Sequence, residues 1–155
     1  MAENGTIHQI SISKGGVPKT AILTAEVTPS GLAGDLHNDL KNHGGPERAV
    51  CLYSLERIQA LQAEGHPIVP GAAGENVTVA GLDWEKVVIG TRLRLGSQVL
   101  LEVTRYTMPC NNIRNSFLDT DYSRISQNHY PGWSRVYTRV LQTGSIAAGD
   151  TVVIE

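Results

Sequence analysis

Cys110 is the side chain in this sequence best suited to carry chemistry. It lies in the run Tyr106-Thr-Met-Pro109-Cys110-Asn111-Asn112-Ile113-Arg114. Proline has no N–H for a ladder, so Pro109 ends a strand and fixes the direction from which the thiol is presented. Arg114 is close enough in sequence to favour the thiolate, the form that binds soft metals or attacks sulfur and carbon centres. The neighbouring asparagines fit a wet, ligand-facing position. A half-buried structural thiol accounts for the same residues. Cys51, between Val50 and Leu52, reads as a core thiol.

Three further groups have types and spacings that suit a ligand. Gly34-Asp35-Leu36-His37 is followed by His43-Gly44-Gly45-Pro46-Glu47-Arg48. Glycines let backbone N–H groups approach an anion, and an arginine at the edge can fork onto phosphate. The histidines and acids also suit a divalent metal, although their spacing matches no standard zinc signature. An ordinary glycine-rich turn explains the group equally. In Pro70-Gly-Ala-Ala-Gly-Glu75-Asn76, the last two side chains can accept and donate hydrogen bonds at the mouth of a following strand, and a simple turn explains the segment at least as well. No Gly-Lys-Ser/Thr follows and a strand rather than a helix comes next, so it is neither a Walker loop nor a dinucleotide fingerprint. Alternation along Gly132 to Arg139 puts Arg135, Tyr137 and Arg139 on one strand face. That face suits an anionic planar ligand, or a solvated barrel exterior.

The elements that must position these residues are mostly short strands. Sixteen glycines are spread along the chain and punctuate short runs. Strands are expected at Thr6 to Ser13, Thr20 to Thr28, Arg48 to Tyr53 and around Val77 and Val79. A hairpin is expected from Arg92 to Thr104 with a two-residue turn at Gly96-Ser97, placing Val99, Leu101 and Val103 on one face. A C-terminal strand pair covers Arg135 to Leu141 and Thr151 to Ile154. Arg48 to Tyr53 is continuously apolar and reads as buried on both faces. One helix follows Ser54 as N-cap, with Glu56 in its first turn, Leu55, Ile58 and Leu61 along one stripe, and Gly65 and Pro67 as its stop. A second helix is expected over Ser116 to Ser126. Strands following strands, with one or two short helices inserted, define a mainly β chain. They favour a closed or nearly closed barrel over a doubly wound sheet.

With 155 residues the chain is expected to form one domain spanning residues 1–155. Thirteen lysines and arginines against 15 acids give a net charge of −2, which argues against a general nucleic-acid or anionic-membrane binder and leaves room for a local basic site. No apolar run approaches the roughly 18 residues of a membrane helix. The start Met1-Ala-Glu-Asn-Gly5 lacks signal-peptide features, so the cytoplasm is the expected compartment. Neither cysteine belongs to a CxxC pair, which excludes a zinc ribbon or a thioredoxin motif.

Taken in order, these pieces resemble the MOSC domain, the family named after the C-terminal domain of molybdenum cofactor sulfurase. The matching features are Lys14-Gly-Gly-Val-Pro-Lys19, Gly31-Leu-Ala-Gly-Asp35-Leu-His37 and His43-Gly-Gly-Pro-Glu-Arg-Ala-Val-Cys-Leu-Tyr53. They continue with Pro70-Gly-Ala-Ala-Gly-Glu-Asn76, Gly81-Leu-Asp83, Pro109-Cys110, Tyr137-Thr-Arg139-Val-Leu and Gly144-Ser-Ile-Ala-Ala-Gly-Asp150. No single piece is specific; their order and spacing are. The resemblance implies a barrel like that of pyruvate kinase, and places Cys110 at the family's characteristic cysteine.

In relatives that reduce amidoximes or hydroxylaminopurines that cysteine is a molybdenum ligand; in the sulfurase context it was proposed to carry a persulfide. The expectation is therefore a domain that binds the molybdenum cofactor (molybdopterin), with Cys110 on the metal, and reduces a small N-hydroxylated substrate. Tungsten suits the same thiolate and dithiolene ligands. Lys14, His43, Gly44, Gly45, Arg48, Glu75, Asn76, Arg114, Tyr137 and Arg139 are the expected cofactor contacts. A separate protein would donate electrons or sulfur. The alternatives are a sulfur carrier acting through a Cys110 persulfide, and a pterin- or anion-binding module without catalysis.

Overall fold

A computed structural model describes residues 4–36 and 45–155. Among the described residues there are eleven strands: β1 (Asn4–Ile12), β2 (Thr20–Ile22), β3 (Thr24–Thr28), β4 (Gly31–Leu32), β5 (Val50–Ser54), β6 (Val77–Ala80), β7 (Arg92–Leu95), β8 (Val99–Tyr106), β9 (Val136–Gln142), β10 (Gly144–Ala147) and β11 (Thr151–Ile154). Seven of them close a barrel in the order β11-β7-β8-β9-β5-β6-β1, sealed by the pairing of β11 with β1. The expected mainly β barrel is thus present. Closure leaves no barrel edge to protect.

Its interior follows from the alternation of side chains. Val99, Leu101 and Val103 point inward from β8, Leu93 and Leu95 from β7, and all are essentially unexposed. In β1, Ile7 and Ile10 differ by an odd number of positions, yet both are buried. A register shift between Ile7 and Gln9 inserts the extra residue that turns both inward. The interior also takes Thr138, whose hydroxyl donates to the Val50 carbonyl at 2.9 Å.

β5 is buried along its whole length. Val50 and Leu52 face the barrel; Cys51 and Tyr53 face outward but are covered. The cover is the long connection from β8 to β9, clamped by arginine–aromatic stacking. The Arg124 guanidinium lies 4.1 Å from the Trp133 ring centroid and 4.6 Å from that of Tyr130, and Arg57 lies 4.6 Å from Trp133. Arg124 also forks onto Glu64 at 2.8 and 2.9 Å. Tyr53 donates to the Trp133 carbonyl at 2.6 Å. β5 then runs into α1 (Leu55–Ala63), where the Ser54 hydroxyl accepts from the Arg57 N–H, as the N-cap reading requires. β5 and β6 form the barrel's parallel pair, with α1 between them in sequence.

Four local expectations are corrected. The run Thr20 to Thr28 bends at Leu23, so that β2 pairs antiparallel with the end of β1 while β3 joins β4 and β10 in a separate sheet. The turn between β7 and β8 has three residues, since Leu95 pairs with Val99, and opens on Gly96 at φ 63°. β9 and β11 do not pair with each other; β9 lies between β8 and β5, and β11 closes the barrel. The helix expected over Ser116 to Ser126 is replaced by short 3-10 turns at Leu118–Thr120 and Tyr122–Ile125, preceded by another at Asn111–Ser116. Asp119 and Thr120 adopt left-handed φ values of 54° and 56°. Short polar side chains bond the local backbone and compete with helix at that point. Among the described residues no helix is long and apolar enough to cross a membrane.

Candidate functional site

β8 ends at Tyr106, and Thr107-Met108-Pro109 carry the chain to Cys110. Cys110 thus stands past the strand end, not on it. Its backbone is extended (φ −137°, ψ 174°), and its carbonyl accepts from the Ile113 N–H at 3.1 Å to start the Asn111–Ser116 turn. The thiol is partly exposed and opens into a cleft of about 150 Å³ on the outer face of β5 and β9. Cys51, Arg135, Tyr137, Asn76 and Lys19 line the same cleft. Leu36 and Met108 form an exposed apolar rim.

The cleft wall is built by the segment that enters β6. Gly71 has φ 85°, and a Cβ there would lie 2.7 Å from the Lys19 carbonyl oxygen, so this approach needs glycine. Asn76 is a buried junction. Its Oδ1 accepts from the Cys51 N–H at 3.0 Å, and its amide donates to the Ser11 carbonyl at 3.2 Å and to Asp35 Oδ2 at 2.9 Å. Lys19 meets both Asp35 oxygens at 2.8 Å, so this cation is neutralised where it stands.

Arg135 differs. It is 5% exposed, and its Nη1 donates to the Ala73 carbonyl. Its Nε has no partner, and no carboxylate among the described residues pairs with it. A buried guanidinium cannot shed its proton, so Arg135 puts a positive charge on the cleft floor. Burial pushes the Tyr137 hydroxyl up, with Cys51 adding to the effect and Arg135 opposing it. The Cys51 thiol is raised to about 11, chiefly by burial, against the field of Arg135. Cys51 is therefore a neutral thiol within the cleft wall, and its Sγ lies 3.8 Å from the Thr107 hydroxyl.

The other expected contacts fall in several places. Asn76 and Tyr137 line the cleft with Cys110. Glu75 lies just behind, fully buried. Arg48 adjoins the cleft through Tyr137, its guanidinium 6.0 Å from the ring centroid. His43 and Gly44, with His37, lie outside the described residues. Gly45 precedes the short Pro46–Arg48 turn and does not line the cleft. Nor does Lys14, which is exposed; Gly16, Val17 and Lys19 of the same segment do. Arg114 is exposed and donates to the Asn111 carbonyl at 3.0 Å, capping its own turn. Arg139 does not line the cleft; it pairs with Glu102, and with Glu47 at 3.8 Å. Arg135 and Lys19 are the cleft cations absent from the expected contacts. Alternation had nonetheless grouped Arg135 with Tyr137 and Arg139 as a ligand-facing set, of which Arg135 and Tyr137 line the cleft and Arg139 does not.

Among the described residues no three His, Cys, Asp or Glu side chains converge to hold a metal ion by themselves. Cys110 offers a single soft donor beside a cationic floor. Such a site suits a group that brings its own remaining ligands and negative charge.

Barrel and cleft together define a class: a closed β-barrel domain with one accessible cysteine over a pocket lined by a buried arginine. The MOSC domain matches residues 39–153, and the chain belongs to that family. It is 36% identical over 118 residues to the uncharacterised protein YflK of Bacillus subtilis, covering 75% of this chain and 52% of that protein. It is also 36% identical over 128 residues to a protein of Gibberella moniliformis named Reductase, covering 79% of this chain but 22% of that one. The chain thus spans about half, or less, of the length of these relatives. The crystal structure of YiiM from Geobacillus stearothermophilus superimposes with a TM-score of 0.77 at 26% identity, over 97% of this chain and 75% of that one.

Proposed function

We propose that this protein holds the molybdenum cofactor in the cleft, with the Cys110 sulfur as its protein ligand, and reduces small N-hydroxylated compounds. One observation carries the reading: a partly exposed thiol opens into a cleft whose floor holds a buried guanidinium that no carboxylate among the described residues pairs. The donor set fits such a group. Cys110 supplies soft sulfur for the metal, and Arg135 supplies charge for an anionic pterin phosphate. Lys19, Asn76 and Tyr137 add polar atoms along the wall. The name of the Gibberella relative agrees with a reductive chemistry.

The cofactor, when bound, supplies the two-electron chemistry, and the protein's part is to bind, orient and exclude. Arg135 is held at the floor by its hydrogen bond to the Ala73 carbonyl. The Tyr137 hydroxyl stays protonated at neutral pH and so remains a donor. Leu36 and Met108 give the entrance an apolar rim that receives the body of a small organic substrate. Overall, an N–OH compound takes two electrons and two protons, the N–O bond breaks, and amine and water leave. The electrons come from a separate donor protein and the protons from solvent.

The test is elemental analysis of protein purified from a host that makes the cofactor. Wild type is expected to carry about one molybdenum per chain and Cys110→Ala to lose most of it. Equal metal in both would remove the ligand assignment. Tungsten in place of molybdenum would change the metal and leave the site.

A further inference from the structure

Two buried polar atoms behind the cleft lack partners, and they come from groups of opposite charge. Nε of Arg135 is one; Oε1 of Glu75 is the other. Glu75 is fully buried. Its Oε2 accepts from the Gly71 N–H at 3.0 Å and from the Thr78 hydroxyl at 3.1 Å. Ala73, whose carbonyl holds Arg135, is two residues before Glu75, and the field of Arg135 reaches the carboxyl. No direct ion pair joins the two.

The other groups that sense Glu75 do not compensate it. Cys51 and Tyr53 on β5 both feel its charge, and both are held neutral by burial. The cation of Lys19 is matched by Asp35. Arg135 is therefore the cation that an ionised Glu75 would lean on. It is also the cation that an anion in the cleft would lean on.

We propose that the cleft floor at Arg135 is an oxyanion subsite coupled to Glu75, so that an oxyanion entering the cleft drives proton uptake by this carboxyl. The two negative charges compete for one guanidinium. When the oxyanion takes it, the carboxylate is left buried without a counter-charge and becomes the acid. Burial already pushes Glu75 above the usual carboxylate range, and the occupant pushes it further. The coupling rests on reading the cleft as the seat of an anionic group and needs no metal.

Sulfate is a suitable probe, because it keeps its charge across the neutral range. Cofactor-free wild type labelled with carbon-13 at the glutamate carboxyls is titrated by NMR from about pH 5 to about pH 9. The Glu75 resonance is assigned through bonds and by its loss in Glu75→Gln. It is expected to titrate above the ordinary glutamate range, and its midpoint to rise on adding sodium sulfate but not sodium chloride of equal ionic strength. Sulfate affinity should weaken as pH rises through that midpoint, by up to about tenfold per pH unit. That dependence should vanish in Glu75→Gln, and binding itself in Arg135→Ala. A midpoint unmoved by sulfate, an ordinary carboxylate midpoint, or no sulfate binding to folded wild type would each overturn the coupling. None of these bears on whether Cys110 holds metal, so the two proposals fail separately.

Discussion

Cys51 on β5 and Tyr137 on β9 are direct partners in the antiparallel ladder, and both side chains leave the barrel into the cleft that Cys110 overlooks. The pairing fixes one sulfur within the wall while the other stands at the opening. The chain thus presents two thiols to one space in different chemical states. Cys51 is 4% exposed and raised to about 11, whereas Cys110 is partly open to solvent.

Alkylation should therefore be selective. With iodoacetamide at mildly alkaline pH, native protein should gain a single adduct, mapped to Cys110. Cys51 should react at least about a hundredfold more slowly, since both access and thiolate fraction are withheld. Peptide mass spectrometry over a time course reads this directly. Comparable labelling of Cys51 in folded protein would show that the cleft wall opens readily.

Arg135, just before β9, and Arg139, within it, should separate cleanly. Arg135→Ala removes the charge of the cleft floor and leaves the Ala73 carbonyl without its donor. It should lower bound cofactor by about tenfold or more, and Arg135→Lys should restore part of it. Arg139→Ala breaks only exposed ion pairs with Glu102 and Glu47. Its effect should stay within about 0.5 kcal/mol of stability, with cofactor content unchanged. Loss of cofactor from Arg139→Ala alone would require the anion site to lie elsewhere.

The barrel was readable because strand alternation is local: Val99, Leu101 and Val103 reveal their face by spacing, and Ser54 caps α1 where its type says it should. What escaped was set by contacts far apart in the chain. Which strands pair, β9 with β5 or β11 with β1, is decided by closure and not by neighbouring residues. Cys110 was legible from its proline and its polar neighbours. Arg135 and Arg139 share a residue type and a strand face, and nothing in their own sequence tells which is buried. The Asp35–Lys19–Asn76 junction joins three separate segments, so its members could be listed as polar residues but not as one network.

His66 should prove to be a structural latch for the segment that follows Cys110. Its Nδ1 accepts the Leu118 N–H at 3.0 Å, and its ring meets Phe117 edge-on at 5.5 Å. With Nδ1 accepting, Nε2 carries the proton and faces Glu64 at 3.4 Å. His66→Ala leaves that N–H unpaired and opens a gap beside Phe117, a loss of about 1–3 kcal/mol. Hydrogen exchange should accelerate at Leu118 and through the Tyr122–Ile125 turn while the barrel strands stay protected. Uniform acceleration across β5 and β8 would show instead that the whole domain had been weakened.

Glu75 should also impose a slope on stability against pH. Its carboxyl is pushed above the usual range by burial, which outweighs the hydrogen bonds from Gly71 and Thr78 and the field of Arg135. The folded protein therefore holds this proton over a range where the unfolded chain has released it. The stabilisation is complete at pH values below the ordinary glutamate range. It is lost as pH rises from there toward the folded-state value, by at most about 1.4 kcal/mol per pH unit. Glu75→Gln has nothing to ionise and can still accept from Gly71, so its stability should be flatter over that window and overtake wild type at the upper end. Urea denaturation at a series of pH values measures both curves. Parallel curves would mean that Glu75 is ionised in the folded protein at neutral pH, with Arg135 as its counter-charge.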